Sequence, residues 1–138
     1  MTDIQVLFTY RLRESEETLL DAEKMLQACL SPRSVINRAY YSMFYAVLAL
    51  FIIEESYPKT SKHSGVIAIF DKEFIHTGKI DLRYSKMLHR MFDARQEGDY
   101  KDLVEVTQEE AAESVKLAAE FIRTIKTYIE NRKSTGEC

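Results

Sequence analysis

The sequence is poor in the residues that build turns. Glycine and proline together account for six of 138 residues, whereas an average chain carries roughly 12% of them. Sandwiches and barrels need many tight turns, so this scarcity argues against an all-β architecture. The length corresponds to one domain of ordinary size. We therefore predict a single, all-α domain.

The sequence also lacks an excess of positive charge and a set of cysteines. Its net charge is −3 and its pI about 5.7, which gives no global signal for nucleic-acid binding. Residues 31–100 are the more basic part of the chain, so any RNA is expected to bind there. The two cysteines cannot build a disulfide framework or a zinc site. Cys29 falls on the apolar stripe of its helix, so we predict that it is a small core residue, and Cys138 lies on a polar tail.

Long hydrophobic runs and a leader segment are missing as well. The longest uncharged stretch is 39–53, and a membrane span needs about 20 apolar residues. The first thirty residues lack a basic start followed by an apolar run, so they do not resemble a signal peptide. We expect a buried helix, no membrane contact and a cytoplasmic location.

Apolar residues recur at three- and four-residue steps along most of the chain, the spacing of one helix face. This spacing predicts an antiparallel up-and-down bundle with short connections, in which 1–132 form the domain and 133–138 a frayed polar tail. The five predicted helices span about 4–30, 32–56, 62–76, 81–97 and 107–132.

Capping residues mark the ends of these predicted helices. We expect Ser31 to accept a hydrogen bond from a free backbone N–H, with Pro32 at the first helical position. Gly78 fits a left-handed cap that closes the third helix. The other markers are Pro58 after the second helix, Gly98-Asp99 after the fourth, and a capping box from Thr107 to Glu110 at the fifth.

The most informative segment begins the most apolar helix. Arg38, Tyr41 and Tyr45 follow one another at three and four residues, so they form a column of one cation and two hydroxyls. Such a column suits phosphate recognition. The alternative is structural: Arg38 pairs with a carboxylate and the tyrosines pack with satisfied hydroxyls.

The usual catalytic motifs are missing. Four scattered glycines cannot build a phosphate-binding loop. The three histidines, at 63, 76 and 89, lack the spacing of a helical zinc site. We therefore expect no metal and no cofactor. A lone histidine such as His63 is usually structural, with its ring bonded to a loop carbonyl.

The fourth predicted helix offers two weaker signals. Arg83 and His89 are separated by five residues, which would place them about 120° apart around the axis. A basic stripe follows four- and three-residue steps and is either a solvated face or a track for an RNA backbone. Its members are Lys79, Arg83, Lys86 and Arg90.

Three short motifs together resemble the HEPN (higher eukaryote and prokaryote nucleotide-binding) domain. They are the segments Arg38–Tyr45, Lys62–Val66 and Arg95–Tyr100. The similarity is to the small stand-alone prokaryotic branch and covers essentially the whole chain. It implies a helical bundle that dimerises and that is paired with a minimal nucleotidyltransferase in a toxin–antitoxin or related two-gene system.

The resemblance also implies what an active site would contain. Active members are metal-independent RNases that use an arginine, four to six intervening residues and a histidine in a cleft between two subunits. This sequence has Tyr45 where that histidine would follow Arg38. Tyrosine, with a reference pKa of about 10, is a poor general base at neutral pH. Arg95, Asp99 and Tyr100 either tie the fourth helix to the next loop or lie beside the cleft.

Two functions, and a simpler third, remain open from the sequence. The first is a partner subunit of a minimal nucleotidyltransferase that binds RNA or nucleotide in a dimer cleft. The second is an RNase using Arg38 or Arg83 with a nearby histidine or tyrosine, and the third is a nucleotide-binding domain. The apolar second helix favours a homodimer. The candidate ligand-binding residues are Arg38, Tyr41, His63, Arg83, Lys86 and Arg90.

Overall fold

The computed structural model describes residues 2–55, 62–100 and 105–136, and gives 96–100 and 133–136 as helical backbone only. Within these ranges the protein is an all-α bundle of five helices, as predicted. A π-helical turn, Asp71–Ile75, follows α3 and is called the π turn below. The helices are α1 Asp3–Gln27, α2 Pro32–Ile53, α3 His63–Phe70, α4 Leu82–Tyr100 and α5 Gln108–Gly136.

Helix α2 is the centre of the bundle. It packs on α1, α4 and α5, and thirteen of its 22 residues are buried. By length and composition α2 could cross a membrane, but 67% of its most apolar window is buried inside the protein. Its apolar character therefore matches a core helix, as the sequence predicts. The predicted apolar face of α5, from Ala111 to Ile129, is likewise buried against it.

Several helix ends follow the predicted capping chemistry. Pro32 occupies the first turn of α2, and Gly78 has φ +80°, where a glycine avoids the strain of a side chain. At α5 the Thr107 hydroxyl accepts from the Glu110 N–H at 3.1 Å. The Glu110 carboxylate binds the Thr107 hydroxyl, so the predicted capping box is half formed. Ser31 makes no side-chain capping bond.

Cys29 is not a core residue. It is exposed and has φ +56°, directly after the end of α1. Its N–H binds the Leu26 carbonyl, and the Leu30 N–H reaches back to the Met25 carbonyl. This pair of bonds is the Schellman motif, which ends the helix before the apolar stripe reaches Cys29.

Three predicted boundaries move. Helix α2 ends at Ile53 and Glu55 has φ +56°, so the helix stops before Pro58, which lies outside the described residues. Helix α4 runs through Gly98 to Tyr100, because one glycine lowers helix propensity without breaking the helix. Helix α5 continues to Gly136, beyond the predicted end of the helix at 132.

Exposed apolar side chains gather on α1 rather than α2. The first two turns of α1 carry Ile4, Val6, Leu7 and Tyr10, which are 37 to 54% exposed. The argument that α2 needs a second subunit to cover it therefore fails, because its own chain covers it. Among the described residues, the start of α1 carries the largest group of exposed apolar side chains that an interface between subunits could use.

Candidate functional site

The column on α2 forms as predicted. Arg38, Tyr41 and Tyr45 are all half-buried; the Arg38 guanidinium carbon lies 5.2 Å from the Tyr41 ring centroid, and the Tyr41 and Tyr45 rings are 5.9 Å apart. Within the described part of the chain, Arg38 donates to the amide oxygen of Asn37 at 3.1 Å rather than to a carboxylate. The cation is thus stacked on an aromatic ring.

The first residue of α3 brings an imidazole to this column. The His63 ring stacks on Phe44 with centroids 4.0 Å apart and meets Tyr41 edge-on at 5.4 Å. Its Nδ1 atom is 2.9 Å from the hydroxyl oxygen of Tyr40, a side chain that is fully buried. His63 therefore bonds to a core hydroxyl rather than to a loop carbonyl, and its orientation is fixed by three rings.

Arg95 of α4 completes the group, which we call the α2–α3–α4 cluster: Arg38, Tyr40, Tyr41, Tyr45, His63 and Arg95. Its guanidinium donates to the Tyr41 hydroxyl at 3.3 Å and lies 5.4 Å from the Tyr41 ring centroid. The sequence favoured a tie from Arg95 to the following loop; the side chains of Asp99 and Tyr100 lie outside the described residues. In the structure Arg95 lies over the rings of Tyr40 and Tyr41 on α2.

The cluster changes the proton affinity of its members. Burial, reinforced by the charge of Arg95, lowers the pKa of His63 below its usual value of 6.5, so the imidazole is neutral at pH 7. Burial raises the pKa of Tyr40 well above 10. Burial and the nearby Glu14 carboxylate also raise the pKa of Tyr45. Tyr45 is therefore a weaker base candidate than His63.

Arg83 and His89, the alternative pair, are held by different elements. Arg83 pairs with Glu120 of α5 at 3.0 Å and donates to the Tyr84 hydroxyl. His89 Nε2 lies 2.7 Å from an Asp71 carboxylate oxygen in the π turn. Each side chain thus has a local partner, and the structure shows no contact between the two among the residues it describes.

The members of the basic stripe are exposed, but only three of them lie on α4. Arg83, Lys86 and Arg90 are solvent-facing residues of this helix. Lys79 precedes Leu82, where the helix begins, and lies 5.7 Å from the Phe74 ring centroid. The stripe is therefore shorter than predicted. Arg95 lies five residues beyond its last member on the same helix.

The α2–α3–α4 cluster has the groups that phosphate chemistry needs. Two guanidinium groups can bind phosphate oxygens, the tyrosine rings offer stacking faces, and a neutral imidazole can accept a proton. In the ranges that the structure describes, no group of three or more histidine, cysteine or acidic side chains could hold a metal ion. The three motifs behind the HEPN resemblance meet here, with Arg38, His63 and Arg95 each contributed by one of them.

Comparison with known proteins places the chain in a family. A model of the HEPN domain matches residues 8–128. A UPF0332 protein of Thermotoga maritima is 38% identical over 133 residues, which cover 96% of this chain and 98% of the relative. Two proteins of Methanocaldococcus jannaschii are also similar. "Putative toxin MJ0142" is 36% identical, and the match covers 85% of this chain and 82% of the relative. "Putative toxin MJ0605" is 34% identical, and the match covers 83% of this chain and 84% of the relative. The chain belongs to the HEPN family.

Proposed function

We propose that this HEPN-domain protein is the toxin-like component of a two-gene system and binds RNA at the α2–α3–α4 cluster. One observation carries the proposal: Arg38, His63 and Arg95, from three separate helices, converge on the ring of Tyr41. A structural role for Arg38 would favour a carboxylate partner, and its described hydrogen bond goes to an amide oxygen instead. The relatives that carry the toxin name support the toxin-like part of the proposal.

The cluster suits RNA better than a phosphate ion alone. The cations supply the contact to the backbone, which is not specific for sequence. Tyr45 is half-buried, so part of its ring is available to a base. Stacking of a base on an aromatic ring contributes about 1 to 3 kcal/mol. A nucleotide would use the same groups but make fewer contacts.

The test is the affinity of the protein for a fluorescently labelled single-stranded RNA. We expect Arg38→Ala to weaken binding about 10- to 100-fold, because a hydrogen bond to a charged group is worth about 1.5 to 3 kcal/mol. Arg13→Ala is the matched control: it removes the same charge from an exposed position that lines a groove between α1 and α5. Equal losses in both variants would contradict a site at the cluster.

The same assay decides whether the basic stripe extends the site along α4. The double variant Arg83→Ala, Arg90→Ala removes two exposed cations and should lower both the affinity and its dependence on salt, since each neutralised phosphate adds to that dependence. If the affinity of this variant is unchanged, RNA does not follow α4 and the stripe is a solvated face.

A second candidate function, metal-independent RNA cleavage, is favoured by the neutral imidazole of His63. In this reaction the ribose 2′-oxygen attacks the adjacent phosphorus as His63 removes its proton. The bond to the 5′-oxygen breaks and this oxygen takes a proton from water, leaving a 2′,3′-cyclic phosphate and a 5′-hydroxyl. Arg38 and Arg95 would stabilise the charge that develops on the phosphate. Tyr45, proposed from the sequence, is replaced in this scheme by His63.

We further propose that the protein forms a homodimer and binds a minimal nucleotidyltransferase encoded next to it. The exposed apolar turns at the start of α1 precede Arg11 and Glu14, whose charges act on Tyr45, so a second subunit there would border the cluster. Light scattering should give about twice 16.1 kDa for the protein alone, and a larger complex after co-expression with the product of the adjacent gene. A monomer that forms no such complex would contradict this part.

A further inference from the structure

Asp71 connects two elements at a distance from the cluster. It follows the last residue of α3 and begins the π turn, where its carbonyl accepts from the His76 N–H at 2.8 Å. Both oxygens of its side chain are used by α4. One accepts from the Ser85 hydroxyl at 2.7 Å and the other lies 2.7 Å from His89 Nε2. A single carboxylate thus joins the end of α3 to the first half of α4.

The opposite end of α3 carries His63, which packs against the same two rings, Tyr40 and Tyr41, as Arg95 in the second half of α4. The two helices are therefore antiparallel and held at both ends. The axial spacings on the two helices agree. His63 and Asp71 are eight residues apart, which is about 12 Å along α3. On α4, Arg95 lies about 9 Å from His89 and about 15 Å from Ser85 along the helix axis. A slip of one turn, about 5.4 Å, would carry His63 out of the cluster.

We propose that Asp71 is a positioning residue for the site: its bonds to Ser85 and His89 set the register of α3 on α4 and thereby hold His63 against Tyr40 and Tyr41. This inference rests on the proposed function for its biological meaning, but its geometry does not involve RNA. π-helical turns are frequent at functional sites, and here the π turn places Asp71 on α4. The sequence offered His89 as an alternative catalytic residue; in this arrangement it helps to hold the Asp71 carboxylate in place.

The contact is suited to hold a position firmly. The Asp71 side chain is 19% exposed, so its bonds are partly shielded from water. Ser85 is buried, so its hydroxyl depends on this partner. Packing between α3 and α4 is otherwise slight compared with the packing of α1 on α2. Loss of the carboxylate would therefore free the end of α3 more than the core of the bundle.

The test compares Asp71→Ala with Glu73→Ala, which removes an equal charge from an exposed side chain of the same π turn. The pKa of His63 is measured by NMR titration, and RNA affinity is measured in parallel. In Asp71→Ala we expect the pKa of His63 to rise from its lowered value toward 6.5 and RNA affinity to fall several-fold. Glu73→Ala should change neither the pKa of His63 nor the RNA affinity. Asp71→Asn can still bond to Ser85, so it should keep most of the lowering of this pKa and most of the RNA affinity.

The outcomes separate the two proposals. If Asp71→Ala lowers the melting temperature but leaves the pKa of His63 unchanged, Asp71 is only structural and the inference is overturned. If the pKa moves while the wild-type protein binds no RNA, the positioning role stands and the proposed function fails. Should Asp71→Ala not fold, Ser85→Ala and His89→Ala each remove one of the two bonds. Each should then give a smaller shift of the same sign, and no shift in either would overturn the inference.

Discussion

His63→Ala should abolish RNA cleavage, if the protein is a nuclease, while lowering RNA affinity no more than several-fold. A positioned general base contributes about 10²- to 10⁴-fold to a rate, and His63 is the neutral imidazole of the cluster. Arg38 and Arg95 remain in the variant and still bind the backbone. The measurement is cleavage of a labelled RNA in the presence of a chelator, with the ends of the products analysed for a cyclic phosphate.

The control for this experiment is His76→Ala, because His76 is an exposed histidine just after the π turn. The pH profile gives a second check. Cleavage should decline as the pH falls through the lowered pKa of His63, where the imidazole becomes protonated. The unfolded protein takes up this proton near pH 6.5, so the free energy of unfolding should fall between 6.5 and the lowered pKa and level off below it. Full activity of His63→Ala would remove His63 from the mechanism.

Tyr40→Ala should cause the largest loss of stability at the site, about 3 to 5 kcal/mol in the free energy of unfolding. The side chain is fully buried and contacts the rings of Tyr41, Phe44, His63 and Phe92. Its removal leaves a cavity between α2 and the elements that carry the rest of the cluster. Denaturant unfolding measures the effect.

Tyr40→Phe separates the ring from the hydroxyl. It keeps the packing and removes only the bond to His63 Nδ1, which should cost about 1 kcal/mol and leave the imidazole less firmly oriented. Leu82→Ala serves as the control, since Leu82 is 56% exposed and surface changes are usually within about 0.5 kcal/mol. A loss in Tyr40→Ala no larger than that in Leu82→Ala would show that the ring does not support the core.

Much of the fold could be predicted because it depends on local rules. The apolar spacing of α5 and the uninterrupted apolar stretch of α2 identify helices and their buried faces. The errors fall at helix ends, where tertiary context decides. Cys29 continues the apolar spacing of α1, yet a Schellman motif stops the helix before it. No pattern in the sequence indicates the π turn.

The site was only half predictable for a similar reason. Arg38, Tyr41 and Tyr45 lie on one helix, so their spacing alone predicts the column. His63 and Arg95 come from two other helices, and no period connects them to α2. The search for a histidine within a few residues of Arg38 finds Tyr45 because it assumes that both groups share a helix. The order of the three HEPN-like motifs was the one signal that could have brought them together.

Helix α2 supplies both core residues and the residues of the column, and this limits which sequence changes its relatives can accommodate. Thirteen of its residues form the core, while its half-buried residues Arg38, Tyr41 and Tyr45 form the column. Buried Tyr40 is followed directly by half-buried Tyr41. An insertion or deletion there would therefore move column residues into core positions and core residues into the column. Substitution at the three half-buried positions changes the column and leaves the core residues in place. A lineage can therefore gain or lose chemistry on this scaffold through a few point mutations while the bundle itself stays unchanged.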